Sequence, residues 1–133
     1  MKLKLLVVTP EKKVVDAEAE SVELPGELGY LGILPGHTPL ITLVKTGVLS
    51  YRDGTGGEAF AVSSGFAEVA GDRVSVLADL AEGASQIDAS AAERDRSKVE
   101  EALKTASRES VEELRGQLAL AEARLSVARR VRA

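Results

Sequence analysis

The sequence predicts an α+β protein, in which an N-terminal antiparallel β-sandwich precedes a C-terminal antiparallel hairpin of two helices. Residues 1–86 hold short apolar runs separated by glycine and proline, a pattern typical of antiparallel strands. After residue 87 only Gly116 remains of these two residue types, and Ala, Glu, Arg and Leu predominate, as in helices. We therefore place a β-sandwich domain at residues 1–86 and an α-helical hairpin domain at residues 87–133.

The strands are predicted from alternation and from turn residues. Leu3, Leu5 and Val7 alternate with polar or outward positions, which indicates a strand with one buried face. The predicted strand segments are 2–7, 14–15, 21–24, 47–51, 58–63, 66–70 and 73–77. Turn residues predict a flexible hairpin loop at 52–57, a tight turn at 71–72, and a polar linker at 82–86.

The first helix is expected to begin between residues 88 and 91. Ser90 with Glu93 three residues later is a capping-box pattern, and Asp88 is an alternative N-cap. The polar stretch Thr105–Ser110 predicts the turn between the helices.

Two apolar lines run along the predicted second helix. One suits packing against another helix and contains Val111, Leu114, Leu118, Ala121, Leu125 and Ala128. The other runs beside it and contains Leu120, Ala123, Val127 and Val131. Either one line packs on the first helix and the other on the sandwich or a partner, or both are buried within a monomer.

Composition excludes several classes of function. The formal net charge is −4, divided into −5 for residues 1–86 and +1 for residues 87–133. An acidic sandwich argues against nucleic-acid binding, which needs a basic face for phosphates. No apolar run approaches the roughly 20 residues that span a bilayer, and the N-terminus has no signal-peptide pattern. We expect a cytoplasm-facing protein without direct membrane insertion.

No pattern of residues predicts catalysis or a metal site. The chain has no cysteine and one histidine, His37, and it lacks a phosphate-binding loop, a dinucleotide fingerprint and a metalloprotease helix. Metal sites normally require about three or four protein ligands. We therefore predict no catalytic residues, no metal and no required cofactor.

The most specific local feature is the segment from Pro25 to Leu40. Its glycines accept positive φ and its prolines interrupt a hydrogen-bonded ladder, so we expect a shaped surface loop that presents apolar side chains. Loops of this kind commonly bind a partner.

The chain resembles the epsilon subunit of F-type ATP synthases, which is called delta in mitochondria. Residues 32–40 read G-I-L-P-G-H-T-P-L and closely match the family motif G-I-x-P-G-H-x-P-L. Four further segments are similar and occur in the family's order: Leu5–Pro10, Ser63–Val69, Val74–Ala78 and Arg124–Ala128. The resemblance covers essentially the whole chain.

The resemblance implies a ten-stranded sandwich that docks on the gamma subunit and touches the ring of c subunits, within a rotor that performs no catalysis itself. The complex would hold the chain at the cell membrane as a peripheral protein on the cytoplasmic side. The implied contact loop for the c ring and gamma comprises Tyr30, Gly32, Ile33, Pro35, Gly36 and His37. Many family members carry an acidic residue where Tyr30 stands.

The resemblance also implies a regulatory hairpin. In the family it folds on the sandwich or extends along gamma into the head of alpha and beta subunits, where it inhibits ATP hydrolysis. The basic helix end that would meet an acidic surface there comprises Arg124, Arg129, Arg130 and Arg132.

Some relatives bind ATP at the hairpin, and this chain retains part of that pattern. The matching positions are Glu82, Ile87, Asp88, Ala92 and Arg124. Ala91 stands where the motif has arginine, and Leu120 replaces a second arginine. Because these two arginines are missing, we expect weak or no ATP binding. Arg94 and Lys98 lie one and two turns beyond Ala91 on nearly the same face and could partly substitute for them.

A different class of function fits the same architecture. A small adaptor, built of a sandwich and a hairpin, would bind a partner unrelated to energy conversion. Co-purification distinguishes the two hypotheses, because the ATP synthase hypothesis requires the gamma subunit to accompany the chain.

Overall fold

A computed structural model describes residues 1–130 of the chain. These residues form eight strands, a short 3₁₀ turn and two helices. The strands are β1 (Leu3–Val8), β2 (Lys13–Ala19), β3 (Ser21–Gly26), β4 (Gly29–Ile33), β5 (Leu40–Val44), β6 (Gly47–Asp53), β7 (Gly56–Ala70) and β8 (Arg73–Gly83). The 3₁₀ turn is Ala84–Gln86, and the helices are α1 (Ala89–Leu103) and α2 (Val111–Arg130). The predicted sandwich followed by two helices is confirmed.

Alternation along β1 directs its apolar side chains into the sandwich, as predicted. Leu3, Leu5 and Val7 are at most 1% exposed. The strand pairs antiparallel with β2 and parallel with β8, from Lys4 opposite Arg73 to Val8 opposite Leu77. The first and last strands of the domain are therefore neighbours.

Two long strands account for the strand count. The first part of β7 pairs with β6 and its last part pairs with β5, while β8 follows β7 from Gly83 to Arg73. Only residues 73–77 of β8 pair with β1, so β8 also has two parts. The resemblance implies ten strands, which is the number obtained when the two parts of β7 and the two parts of β8 are counted separately. The predicted break at 64–65 is therefore wrong, because the backbone continues through Gly65. A Cβ at Gly65 would lie 1.8 Å from the Leu77 carbonyl oxygen, so only glycine fits this close approach.

The predicted loop over residues 25–40 is wrong in its first half. Pro25 lies within β3, and Gly29–Ile33 form β4, paired with β3 through a turn at residues 27–28. β4 is the last strand at that edge of the sheet and pairs with β3 on one side, so its other side needs no partner strand. The loop is confined to residues 34–39 and is called the rim loop below.

The polar segments predicted as loops are also shorter than expected. Arg52 and Asp53 complete β6, and Gly56 and Gly57 begin β7, which leaves a turn of two residues. Glu82 and Gly83 complete β8 and the 3₁₀ turn follows, so the predicted linker at 82–86 is ordered.

The main core lies inside the sandwich and draws on all eight strands. Every residue of this cluster falls between Leu3 and Ala81. Its largest fully buried side chains are aliphatic, in keeping with a chain that has only four aromatic residues. A second, smaller cluster joins Val48 and Ala61 of the sandwich to Ala123 and Val127 of α2.

The helices begin and pack much as the sequence predicts. Asp88 is the N-cap of α1, and its carboxylate accepts a hydrogen bond from the Ala91 N–H at 3.1 Å. α2 carries Glu112 and Glu113 in its first turn and Arg129 and Arg130 in its last, which complements the helix dipole.

α2 uses its two apolar lines differently. Ala123 and Val127 of the second line pack on the sandwich, whereas Ala121 of the first line borders a groove shared with Val99 of α1. α1 packs mainly on α2. The division is incomplete, because Leu120 of the second line also borders the groove between the helices and Ala128 of the first line lines a hollow beside Phe60. Both lines have buried members within the described chain, as the second alternative expects. Val131, at the end of the second line, lies outside the described residues.

No helix within residues 1–130 is long and apolar enough to cross a bilayer.

We predict that residues 1–86 fold without the hairpin, because the main core is complete within them. Removing the helices uncovers only the small cluster at Val48 and Ala61. Circular dichroism of the expressed fragment is expected to show a β spectrum with a cooperative thermal transition. A fragment that is unfolded while the full chain is folded would contradict the division into two parts.

Candidate functional site

The rim loop is organised by a tight turn. The His37 N–H donates to the Leu34 carbonyl at 3.1 Å, and Gly36 has φ of 87°. Proline followed by a glycine with positive φ is typical of a type II turn, so the Pro35-Gly36 pair explains the bend. Leu34, at 62% exposure, projects from the turn into solvent.

A hydrogen bond ties the rim loop to the turn between β7 and β8. The Gly36 N–H donates to Asp72 Oδ1 at 2.7 Å, while the Asp72 carbonyl accepts from the Lys4 N–H at 2.9 Å. Asp72 therefore links the loop to β1 as well as to β8. His37 is half-buried, and its Nδ1 lies 2.6 Å from the Thr38 carbonyl oxygen, which requires Nδ1 to donate.

Tyr30 lies on β4 and is tied to β6, although the two strands are not paired and both pair with β3. Its hydroxyl accepts a hydrogen bond from the Val48 N–H at 2.9 Å, although the side chain is 55% exposed. Gly47 permits this approach, because a Cβ there would lie 2.7 Å from the Tyr30 hydroxyl. Tyr30 consequently presents one face of its ring to solvent and uses its polar end internally.

The structure separates Ile33 from the other residues of the predicted contact loop. Ile33 is 1% exposed and belongs to the main core, because it is the last residue of β4 and points inward. A partner surface therefore cannot reach its side chain in this conformation. Gly32 and Gly36 are exposed, and Pro35 is half-buried.

An apolar surface that the sequence reasoning missed lies on the outer side of the sandwich. Leu43, Phe66 and Leu77 are directly opposite one another on β5, β7 and β8, and they are 47%, 56% and 57% exposed. Ile41, 71% exposed, lies two residues from Leu43 on the same side of β5. We call these four residues the docking face. Its signal is present in the sequence, since Leu40–Val44 is apolar at four of five positions although one side faces outward.

The structure joins two of the residues that match the incomplete ATP-binding pattern, Glu82 and Arg124, to each other. Arg124 Nε lies 2.7 Å from Glu82 Oε1, and Arg124 Nη2 lies 3.3 Å from Glu82 Oε2. Asp88 is engaged as the cap of α1, Ala92 is buried, and Ile87 packs against the small cluster beneath α2. The five matching positions thus have roles within the folded chain.

A groove of about 520 Å³ lies between the two helices. Lys98, Leu120 and Arg124 border it. Arg94 is exposed and does not border the groove, so of the two substitutes only Lys98 is placed near Arg124.

The basic helix end is partly engaged within the hairpin. Arg129 Nη2 lies 3.9 Å from Glu93 Oε2, and Glu93 also pairs with Arg96. Arg130 borders a separate hollow together with Arg52. Arg132 lies outside the described residues.

Two titrations are shifted near that hollow. Desolvation raises the pKa of the Tyr51 hydroxyl, and its hydrogen bond to Glu58, at 3.1 Å, raises it further. The Thr55 N–H and hydroxyl both donate to Asp53 Oδ1, which lowers the pKa of that carboxyl. The same hydrogen bonds join Tyr51 to Glu58 across the β6–β7 hairpin and Asp53 to Thr55 at its turn.

Comparison with known proteins gives concordant matches. Residues 2–84 match the family model described as "ATP synthase, Delta/Epsilon chain, beta-sandwich domain". The chain is 42% identical over 129 residues to the ATP synthase epsilon chain of Syntrophobacter fumaroxidans, covering 96% of each chain. It is 47% identical over 102 residues to that of Synechococcus sp., covering 77% of this chain and 76% of the relative.

Solved structures share the fold at low sequence identity. A chain of the Euglena gracilis mitochondrial ATP synthase, solved as OSCP/F1/c-ring, matches with a TM-score of 0.82 at 17% identity, over 96% of this chain and 81% of that one. A chain of the Tetrahymena thermophila mitochondrial ATP synthase central stalk and c ring matches with a TM-score of 0.54 at 13% identity, over 65% and 69%.

Proposed function

This chain belongs to the delta/epsilon chain family of ATP synthases, and on that premise we propose that it is a non-catalytic subunit of the rotating central stalk. In this role it binds the gamma subunit, touches the c ring and helps to couple rotation of that ring to ATP synthesis on the beta subunits. These partners hold it at the cell membrane as a peripheral protein on the cytoplasmic side.

The docking face is the observation that carries this proposal. Leu43, Phe66 and Leu77 form a continuous row across three strands, and half-buried Val8 of β1 extends the row beyond Leu77. A row of large apolar side chains on the outside of a sheet is unfavourable in water and favours burial by a partner. The rigid sheet beneath it presents these side chains without a loss of backbone entropy. We assign this face to the gamma subunit.

The rim loop supports a second contact, with the c ring. Leu34 projects from a turn that Asp72 holds in place, so the loop meets a partner in a preformed shape. The rim loop leads directly into β5, which carries Ile41 and Leu43, so the two surfaces adjoin and together form one continuous contact region for the two partners.

The placement of the helices supports a regulatory hairpin. α2 rests on the sandwich through Ala123 and Val127, which are small side chains, and the main core contains no residue from either helix. The hairpin can therefore leave the sandwich without disturbing the core. Once extended, it would offer Arg124, Arg129 and Arg130 to the alpha and beta subunits and inhibit ATP hydrolysis.

We predict that Phe66→Glu weakens binding to the gamma subunit by at least about 30-fold, the effect of losing an anchor worth about 2 kcal/mol. The side chain points outward, so the sandwich is expected to remain folded. Pull-down and surface plasmon resonance with purified gamma subunit measure the effect. The matched control is Leu28→Glu. It likewise replaces an exposed apolar side chain by a charge, but it lies at the β3–β4 turn, away from the docking face. Equal binding by both variants would contradict the assigned face.

Deleting residues 88–133 is expected to preserve binding to gamma and coupling while raising ATP hydrolysis by the assembled complex severalfold. Binding and coupling are preserved because the docking face and rim loop lie entirely within the sandwich. Hydrolysis rises because the hairpin proposed to inhibit it is gone. Hydrolysis by complexes with the full and the shortened chain is compared in a regenerating ATPase assay. Unchanged hydrolysis would leave the hairpin with a structural role only.

We also propose that the chain requires no cofactor and binds ATP weakly at most. Arg124 is engaged by Glu82 through two hydrogen bonds, so a nucleotide phosphate would have to displace a carboxylate before binding. Ala91 and Leu120 supply no positive charge where relatives carry arginine. Each charge-assisted contact to phosphate contributes roughly 1.5–3 kcal/mol, so the loss of two contacts lowers the affinity for ATP by about two to four orders of magnitude.

Isothermal titration of the full chain with ATP, with and without magnesium, is expected to show binding weaker than the micromolar range. A variant that combines Ala91→Arg and Leu120→Arg restores the missing charges and is expected to bind at least about 100-fold more tightly. Micromolar affinity in the unaltered chain would overturn the prediction and indicate that other cations, with Lys98 the nearest candidate, replace the missing arginines.

A further inference from the structure

The hairpin rests on the sandwich through a small apolar contact. Val48 and Ala61 meet Ala123 and Val127, and the partly buried side chains of Ala59, Ala84 and Ile87 pack around them. The contact has four buried residues, two of them alanine, so it is much smaller than the main core and stabilises less. A polar contact between the sandwich and α2 adds to it.

One ion pair crosses from the sandwich to the hairpin within residues 1–130. It joins Glu82, near the end of β8, to Arg124 of α2, 42 residues further along the chain. The side chains are 25% and 26% exposed, and the guanidinium uses two N–H groups on the two carboxylate oxygens. Every other ion pair found in this part of the chain lies within the sandwich or within the hairpin.

Geometry and burial make this pair stronger than an ordinary surface pair. A two-pronged arginine–carboxylate contact restricts orientation as well as distance, and partial burial reduces screening by salt. Removing one member leaves the other charge partly desolvated without a partner, which disfavours the docked state.

The segment beside the pair is suited to movement. β8 is followed by the 3₁₀ turn, which has no buried residue, and then by extended Ile87 and the cap residue Asp88. Changes of dihedral angle in this connection do not require the main core to repack.

We propose that the Glu82–Arg124 pair is the latch that holds the hairpin on the sandwich in this chain, without a bound ligand. This inference rests on the proposed regulatory hairpin and identifies the residues that set its balance between docked and extended states. Arg124 directs its paired N–H groups at Glu82 when docked, and it has the same groups to offer an acidic partner surface when extended. The two contacts exclude each other, so Glu82 competes with the partner for Arg124.

Distance measurements on the full chain test the latch. The chain has no cysteine, so Lys45→Cys on the sandwich and Arg108→Cys at the hairpin turn give a unique pair of spin-label positions. Both residues are exposed, and neither takes part in an ion pair found within residues 1–130. In this background, Glu82→Gln and Arg124→Gln are each expected to raise the ratio of undocked to docked hairpin about tenfold. Pulsed electron resonance would show this as a second, longer distance.

Charge exchange separates the latch from general destabilisation. A variant that combines Glu82→Arg with Arg124→Glu restores an opposite-charge pair and is expected to recover most of the docked population. The matched controls are Glu112→Gln and Arg115→Gln, which break an ion pair inside α2 and are expected to leave the distance unchanged. The latch is overturned if Glu82→Gln and Arg124→Gln leave the distance distribution like that of the controls, or if charge exchange gives no recovery.

ATP hydrolysis by the assembled complex distinguishes failure of the latch from failure of the proposed function. Glu82→Gln frees the hairpin and leaves Arg124 available, so hydrolysis is expected to fall. Arg124→Gln frees the hairpin but removes one of its basic contacts, so it is expected to inhibit less than Glu82→Gln does. If both variants open the hairpin and hydrolysis stays unchanged, the latch is supported and the regulatory function is wrong.

Discussion

The β7–β8 ladder is the constraint on which the rest of the molecule depends. It runs from Phe60 opposite Gly83 to Ala70 opposite Arg73, and its outer edges receive β1, β5 and β6. Because both strands pass through the whole sandwich, every other strand is positioned relative to this ladder directly or through one or two neighbours. The close approach of Gly65 to Leu77 allows the ladder to continue where a side chain would separate its strands.

The same ladder connects the two ends of the sandwich that carry function. At its turn, Asp72 holds the rim loop through Gly36, and near its other end Glu82 holds α2 through Arg124. Ten residues of extended chain separate Asp72 from Glu82, which corresponds to roughly 33 Å. A hydrogen-bonded ladder of this length is stiff, so the positions of the rim loop and of the latch are related by a rigid element. The docking face lies on its outer side through Phe66 and Leu77.

Sequence reasoning succeeded where a feature depends on neighbouring residues. Alternation in β1, the start of α1 near Asp88 and the two lines on α2 are local patterns with periods of two or about 3.6 residues. It failed where distant segments decide the outcome. Proline is expected to end a ladder, yet Pro25 lies in a strand because Tyr30 of β4 pairs opposite it and the Lys45 N–H donates to its carbonyl. The burial of Ile33 and the pairing of Glu82 with Arg124 likewise depend on contacts between segments far apart in the chain.

The parallel pairing of β1 with β8 affects the order in which the molecule can be assembled. Lys4 pairs opposite Arg73, so the N-terminal strand meets this neighbour only after more than half of the chain has been synthesised. Until then one edge of β1 has only solvent or a chaperone to satisfy its backbone groups, although β2 covers the other edge early. Closing so large a loop delays folding because its entropy is lost before the contact forms. The sandwich is thus completed by its own first strand, and a ribosome-bound chain shorter than about 80 residues would lack that closure.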